Sequence, residues 1–131
     1  MVHKLALRQY IPLPPHPVGD FDHGDVYLES GRVFVANTAA GTVEVIDGEH
    51  LSHPATIPDC PEASGVLVAQ EDALIFAAAR GAGKLLVIDP ITLSVLRTVA
   101  VGARPNGLAW DLLRKHLLVA DVCGARPRPD H

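Results

Sequence analysis

Long apolar runs are missing from this sequence. The nearest candidates are interrupted, as at Gln70-Glu71-Asp72. None approaches the ~20 consecutive apolar residues of a membrane-spanning helix. Met1–Tyr10 carries His3, Lys4 and Arg8 without a sustained apolar core. No export signal is read there, so a cytoplasmic location is the expectation. Cysteine is nearly absent: Cys60 and Cys123 cannot build a disulfide framework, and both are expected to be reduced. Aromatic residues make up only 5%. A strong excess of one charge is lacking too, with 11 Lys and Arg against 15 Asp and Glu and a net charge of −4. That balance excludes a nucleic-acid footprint and an acidic disordered tail, so neither nucleic acid nor a membrane is expected as a partner.

What is present is a repeat. Phe34-Val35-Ala36-Asn37 lies 42 positions before Phe76-Ala77-Ala78-Ala79, which lies 42 before Leu118-Val119-Ala120-Asp121. The same step separates Gly41 from Gly83, Val45-Ile46-Asp47 from Val87-Ile88-Asp89, Leu51 from Leu93, and Gly65 from Gly107. Agreement at one offset across so many registers is not chance. A period in the range of about 40–45 residues is that of four-stranded propeller blades. The segments are short, rich in Val and Ile, and bounded by Gly, Pro and Asp, which makes them strands and not helices.

The fold class expected is therefore all-β: a partial β-propeller of about two and a half four-stranded antiparallel blades. Residues 1–20 hold a strand-like run, Lys4–Leu13, read as a closing strand, and a Pro-rich connector from Pro14 to Pro17. Residues 21–60 form blade 1 and residues 61–102 blade 2. Residues 103–122 form an incomplete blade 3, and residues 123–131 a disordered tail. Within blade 2, Ala73–Ala79 is apolar on both faces, as a middle strand covered by neighbouring blades requires. Closed propellers use ~4–8 blades. The expectation is a truncated form of a longer protein, with self-association through the open blade face as the other way to cover it.

The pieces Phe34-Val35-Ala36-Asn37, Gly41-Thr42-Val43-Glu44-Val45-Ile46-Asp47, Leu85-Leu86-Val87-Ile88-Asp89-Pro90 and Pro105-Asn106-Gly107-Leu108-Ala109 resemble the YVTN family of β-propeller repeats. The resemblance covers residues 21–122, and Ala77-Ala78-Ala79 departs from the family's Val-Ala-Asn. It implies a seven-blade scaffold in a full-length relative and little chemistry; members of the family can be exported.

Registration places residues around the ring, because equivalent positions in adjacent blades sit side by side. Three sets carry polar groups: Asp20, Glu62 and Arg104; Asp22, Ser64 and Asn106; Asn37, Ala79 and Asp121. All fall at one face of the disc, which also receives Cys60 and Cys123. Polar residues converging at a channel mouth make the default ligand site. Asp22, Asn37, Ser64, Arg104, Asn106 and Asp121 are its candidate members, for an unidentified protein or small molecule and with no cofactor.

A metal site is the sharper alternative. Pro105-Asn106-Gly107-Leu108-Ala109-Trp110 is similar to the metal-ligating stretch of the gluconolactonase/regucalcin family. That resemblance implies Asn106 as a ligand of a divalent cation such as calcium or magnesium, Asp22 as the nearest acidic equivalent, and lactone hydrolysis as the activity. The plainer reading is that Asn106 and Asp22 cap an inner strand through Asx-turns. Asp47 and Asp89 are read as Asx-turn residues, His23 as a turn histidine and Trp110 as core. Gly81-Ala82-Gly83-Lys84 is no phosphate loop, because it opens a strand. No Ser-His-Asp or Cys-His pair has supporting context, so the chain reads as non-enzymatic.

Overall fold

Left-handed backbone recurs at the period of the sequence. In a computed structural model that describes residues 4–15 and 19–122, positive φ pairs Leu51 with Leu93, Glu62 with Arg104, and Ala73 with Lys115. Gly41 pairs with Gly83 in the same way, and Gly31 stands 42 residues before Ala73. Side-chain-bearing residues adopt this region rarely. Its repetition shows that the turns, as well as the apolar runs, are copied from blade to blade.

Ten strands follow: β1 Phe21–Tyr27, β2 Arg32–Asn37, β3 Thr42–Asp47, β4 Ser52–Ile57, β5 Ala63–Ala69, β6 Leu74–Ala79, β7 Lys84–Ile88, β8 Val95–Ala100, β9 Pro105–Asp111 and β10 His116–Asp121. They form antiparallel meanders in the orders β1-β2-β3-β4, β5-β6-β7-β8 and β10-β9, two sheets of four strands and one of two. Aspartates tie the turns. Asp47 Oδ1 accepts from the N–H groups of Glu49 (2.9 Å) and His50 (3.0 Å). Asp89 Oδ1 accepts from those of Ile91 (2.8 Å) and Thr92 (3.0 Å). These are the Asx-turns that the sequence assigns to both residues.

The sheets stack through their first strands, β1 beside β5 and β5 beside β9. Alternation along each strand then decides what is buried. Phe34, Val43, Val45 and Ile57 of the first sheet meet Ile75, Ala77, Leu86 and Ile88 of the second, all essentially inaccessible. Burying each large side chain contributes about 1.5–3 kcal/mol. The other side of the second sheet carries Phe76, Leu85 and Val87 against Leu108, Trp110 and Leu117 of the third. β6 is therefore covered on both sides, which is why Leu74–Ala79 is uniformly apolar.

Polar staples fix the stacking. Asp25 Oδ2 accepts from Val68 N–H (2.8 Å), and Gln70 Nε2 donates to Val26 O (2.7 Å). Ser64 Oγ donates to Pro105 O (3.0 Å), and Lys115 Nζ meets Asp72 Oδ2 at 3.1 Å. Each joins positions 41 to 44 apart in sequence, so the repeat spacing is also the contact spacing.

Residues 4–15 depart from the expected closing strand: Lys4–Leu13 alternates like a strand but forms none. A strand needs a ladder, and this segment lies against no sheet edge in hydrogen-bonding register. Pro12, Pro14 and Pro15 also remove backbone donors from its end. Gln9 Nε2 donates to Leu51 O at 3.1 Å, while Leu5, Leu7 and Tyr10 stay exposed. Pro17, Cys123 and the expected disordered tail of residues 123–131 lie outside the described residues.

Candidate ring-face site

One irregularity recurs at the start of every inner strand. Phe21 pairs with Asn37, Ala63 with Ala79 and Pro105 with Asp121, again at steps of 42. Immediately inside each pair the register slips. The slip leaves one extra residue on the inner strand, a β-bulge, which bends the strand and re-aims a side chain. Asp22, Ser64 and Asn106 lie in these bulges, beside the ends of β2, β6 and β10 where Asn37, Ala79 and Asp121 sit. The structure thus brings the second and third sequence-predicted sets to the same end of the sheets. The bulge itself had no signature in the sequence beyond the small residues Gly65 and Gly107.

The six candidates are not equally available. Ser64 is fully buried, and its hydroxyl contacts Ala78 O (3.3 Å) as well as Pro105 O (3.0 Å). Asn37 is 1% exposed, and its Oδ1 accepts from Ala40 N–H at 3.2 Å. Both are engaged in holding the backbone. Arg104 and Glu62, half-exposed and both at positive φ, face each other at 3.7 Å. Asp22 is exposed and lies 3.2 Å from His23 Nε2; Asp121 is exposed at the end of β10.

Asn106 is different. Its Oδ1 is buried and has no donor among the described residues. Arg80, which begins the 3-10 turn after β6, has a buried Nε with no acceptor. Its backbone N–H donates to Glu62 O at 3.3 Å, which sets it at the same end of the sheets. Arg80 is the residue that sequence reasoning passed over; its signal was a cation at the register of Thr38, directly after a buried strand. Buried polar atoms are nearly always hydrogen-bonded, so this unpaired donor and this unpaired acceptor, on adjacent blades, stand out from the rest of the candidate set.

Cys60 is not a ready nucleophile. Cys60 is buried, its Sγ 3.8 Å from Ala78 O, and burial pushes its thiol up to about 12. Such a thiol does not ionise near neutrality. Among the described residues, no three His, Cys, Asp or Glu side chains stand together as a metal-ligand group.

A second polar cluster lies in blade 1. Glu44, 3% exposed, accepts from Thr42 Oγ1 (2.5 Å) and Thr56 Oγ1 (2.6 Å), and His53 Nε2 approaches to 2.8 Å. Burial alone would raise its pKa; the bonds from Thr42, Thr56 and His53 outweigh it and hold the carboxyl below its ordinary value.

No protein-family model matches the chain, and no curated protein matches it. Among solved structures it is similar to Kuenenia stuttgartiensis hydrazine synthase, with a TM-score of 0.68 and 16% identity over 73% of this chain and 27% of that one. It is also similar to the dihydro-heme d1 dehydrogenase NirN in complex with DHE, with a TM-score of 0.61 and 22% identity over 82% of this chain and 22% of that one. The fold is that of a β-propeller, present in part. The chain spans about a quarter of the length of these structures, and at such identities the likeness extends to fold alone. No helix among the described residues is long and apolar enough to cross a membrane.

Proposed function

We propose that the chain is a non-enzymatic propeller scaffold of YVTN type, which binds a small polar ligand or a partner protein on the ring face that carries Asp22, Arg104, Asn106 and Asp121. The observation that supports this reading is the pair of unsatisfied buried atoms, Asn106 Oδ1 and Arg80 Nε. One is an acceptor and the other a donor, so each suits a different polar group: a hydroxyl or amide N–H for Asn106, a carboxylate or carbonyl for Arg80. Leaving such atoms bare costs about 1–3 kcal/mol each, which a ligand would recover on binding.

The rival reading is a metal-dependent lactonase, in which Asn106 and Asp22 hold calcium or magnesium. The orphaned Asn106 oxygen suits a hard cation as well as it suits a donor. Calorimetry and lactone turnover separate the two. Polyols, hydroxy acids and lactones are titrated into the intact chain, with and without millimolar calcium, magnesium or zinc, and into Asn106→Ala and Arg80→Ala variants. Saturable binding without turnover, weakened in both variants, supports the scaffold. Metal-dependent lactone hydrolysis abolished by Asn106→Ala would establish the enzyme instead.

A further inference from the structure

Ala63 O and Pro105 O are the same carbonyl in two repeats, 42 residues apart, and each is clasped by a hydroxyl of the preceding blade. The clasping residues differ. At the junction of blades 1 and 2, Thr38 Oγ1 donates to Ala63 O at 2.6 Å from the turn that follows β2. At the junction of blades 2 and 3, Ser64 Oγ donates to Pro105 O at 3.0 Å from the bulge of β5. In blade 2 the register of Thr38 belongs to Arg80. Position 80 is therefore turned toward blade 3, as Thr38 is toward blade 2, and is relieved of the bond that its counterpart makes.

Arg80 uses that freedom for nothing inside the chain. Its guanidinium forms no hydrogen bond and no ion pair among the described residues. The residue is half-buried, and Nε is stripped of water without gaining an acceptor, a state that buried polar atoms rarely keep. Burial covers Nε alone. The two Nη groups stay open, and they are an end of the fork that takes both oxygens of a carboxylate or phosphate. Lys84, at the other end of the same turn, is by contrast an ordinary exposed cation.

A second cation stands beside Arg80. The Arg80 backbone N–H donates to Glu62 O at 3.3 Å, and the Glu62 carboxylate lies over the next residue, where a Cβ on Gly81 would stand 2.8 Å from Oε2. Glu62 Oε1 faces Arg104 at 3.7 Å. That separation is too long for a hydrogen bond, and both side chains are about half-exposed, so the pair holds Arg104 weakly. Two arginines thus contact Glu62, and its carboxylate hydrogen-bonds to neither guanidinium.

We infer, resting on the ring-face reading above, that Arg80 and Arg104 form an oxyanion site at the junction of blades 2 and 3, which takes the phosphate or carboxylate group of a small ligand. The probes are inorganic phosphate and citrate, titrated separately into the intact chain by calorimetry and followed in ¹H–¹⁵N spectra that include the arginine Nε–H signals. Saturable binding is expected from at least one of them, and the tighter of the two identifies the anionic group. Arg80→Thr copies the residue of blade 1, so it should fold and keep the wild-type urea midpoint, while binding weakens by about tenfold or more, the scale of a lost bond to a charged group. Lys84→Gln removes the same charge from the same turn and should change the affinity by less than about twofold at an ionic strength of about 0.15 M, where unbonded charges are screened. No saturable binding of either anion at millimolar concentration overturns the inference. So does equal weakening by Lys84→Gln, which would make the effect one of general charge, and so does a lowered urea midpoint in Arg80→Thr, which would make Arg80 a residue that holds the fold. A neutral polyol that binds where neither anion does also overturns it and leaves the ring-face reading standing. Anion binding that moves the signals of Arg80 and Arg104 but not those of Asp22 or Asn106 supports the site and withdraws the wider reading.

Discussion

Glu44 and Leu86 occupy the same position in β3 and β7, 42 residues apart, and both are buried, at 3% and 2% exposure. Leu86 belongs to the core between blades 1 and 2. The neighbours of Glu44 on its own strand, Val43 and Val45, belong to that same core. Alternation therefore turns Glu44 to the opposite side of blade 1, which no other sheet among the described residues covers. That side of blade 1 is held by a polar cluster in which Thr42, Thr56 and His53 satisfy Glu44, where the equivalent side of blade 2 is apolar core.

The Glu44 cluster should appear as acid-dependent stability. Its folded pKa is held below the ordinary glutamate value. The stability it contributes is therefore present above the unfolded-state pKa and lost as pH falls through the lower folded value. Glu44→Gln should lose about 2 kcal/mol in urea unfolding at pH 7, in the range for bonds to a charged acceptor. The gap between wild type and variant should close on acidification through that window. A gap that does not change with pH would show that shape, and not charge, holds the site.

The repeat was legible because everything that makes it repeat is local. The Gly turns at Gly41 and Gly83, the aspartates at 47 and 89, and the alternating apolar runs each leave a residue-level trace. The polar cluster was not legible. Thr42-Val43-Glu44-Val45 places the carboxylate opposite the core, but His53 reaches it from β4 across a register slip between Val45 and Asp47. Slips of this kind have no sequence code. The bulges were hidden for the same reason, so the sequence could place Asp22, Ser64 and Asn106 in one register without revealing that Ser64 is enclosed. Lys4–Leu13 failed as a strand because alternation is a property of the segment, whereas a strand is a property of a pair.

Ser64 distinguishes a structural from a ligand-binding role within the ring-face set. Its hydroxyl bridges two carbonyls of different blades, Ala78 O and Pro105 O. Ser64→Ala leaves both without that donor and should cost about 1–3 kcal/mol in denaturant unfolding. Asp121→Ala, on an exposed side chain at the same end, should change stability by less than about 0.5 kcal/mol. Equal effects from the two would mean that Ser64 holds nothing together.

Cys60 should be chemically silent in the folded chain. Burial pushes its thiol to about 12 and also blocks access. In a Cys123→Ser background at pH 8, alkylation of Cys60 by iodoacetamide should be slower than in urea-unfolded chain by a factor on the order of 100 or more, because the thiolate is the reactive form. Comparable rates would show that the first two blades separate readily at Pro61.

Gly65 and Gly107 share a register but not an environment, which gives a direct test of blade stacking. A Cβ on Gly65 would stand 2.0 Å from Asn106 O, a backbone atom of the next blade that cannot swing aside. A Cβ on Gly107 would meet only Ala120 Cβ at 3.7 Å, an ordinary contact. Gly65→Ala must therefore push β9 off β5 and should cost about 3 kcal/mol, at the upper end for overpacking. Because β9 carries Trp110, the same substitution should shift its emission to the red. Gly107→Ala should be neutral or stabilise by about 0.5 kcal/mol, since it stiffens the unfolded chain without a clash. The pair is measured together, by urea midpoint and tryptophan emission. If Gly65→Ala leaves both unchanged, the third sheet does not lie against the second as described.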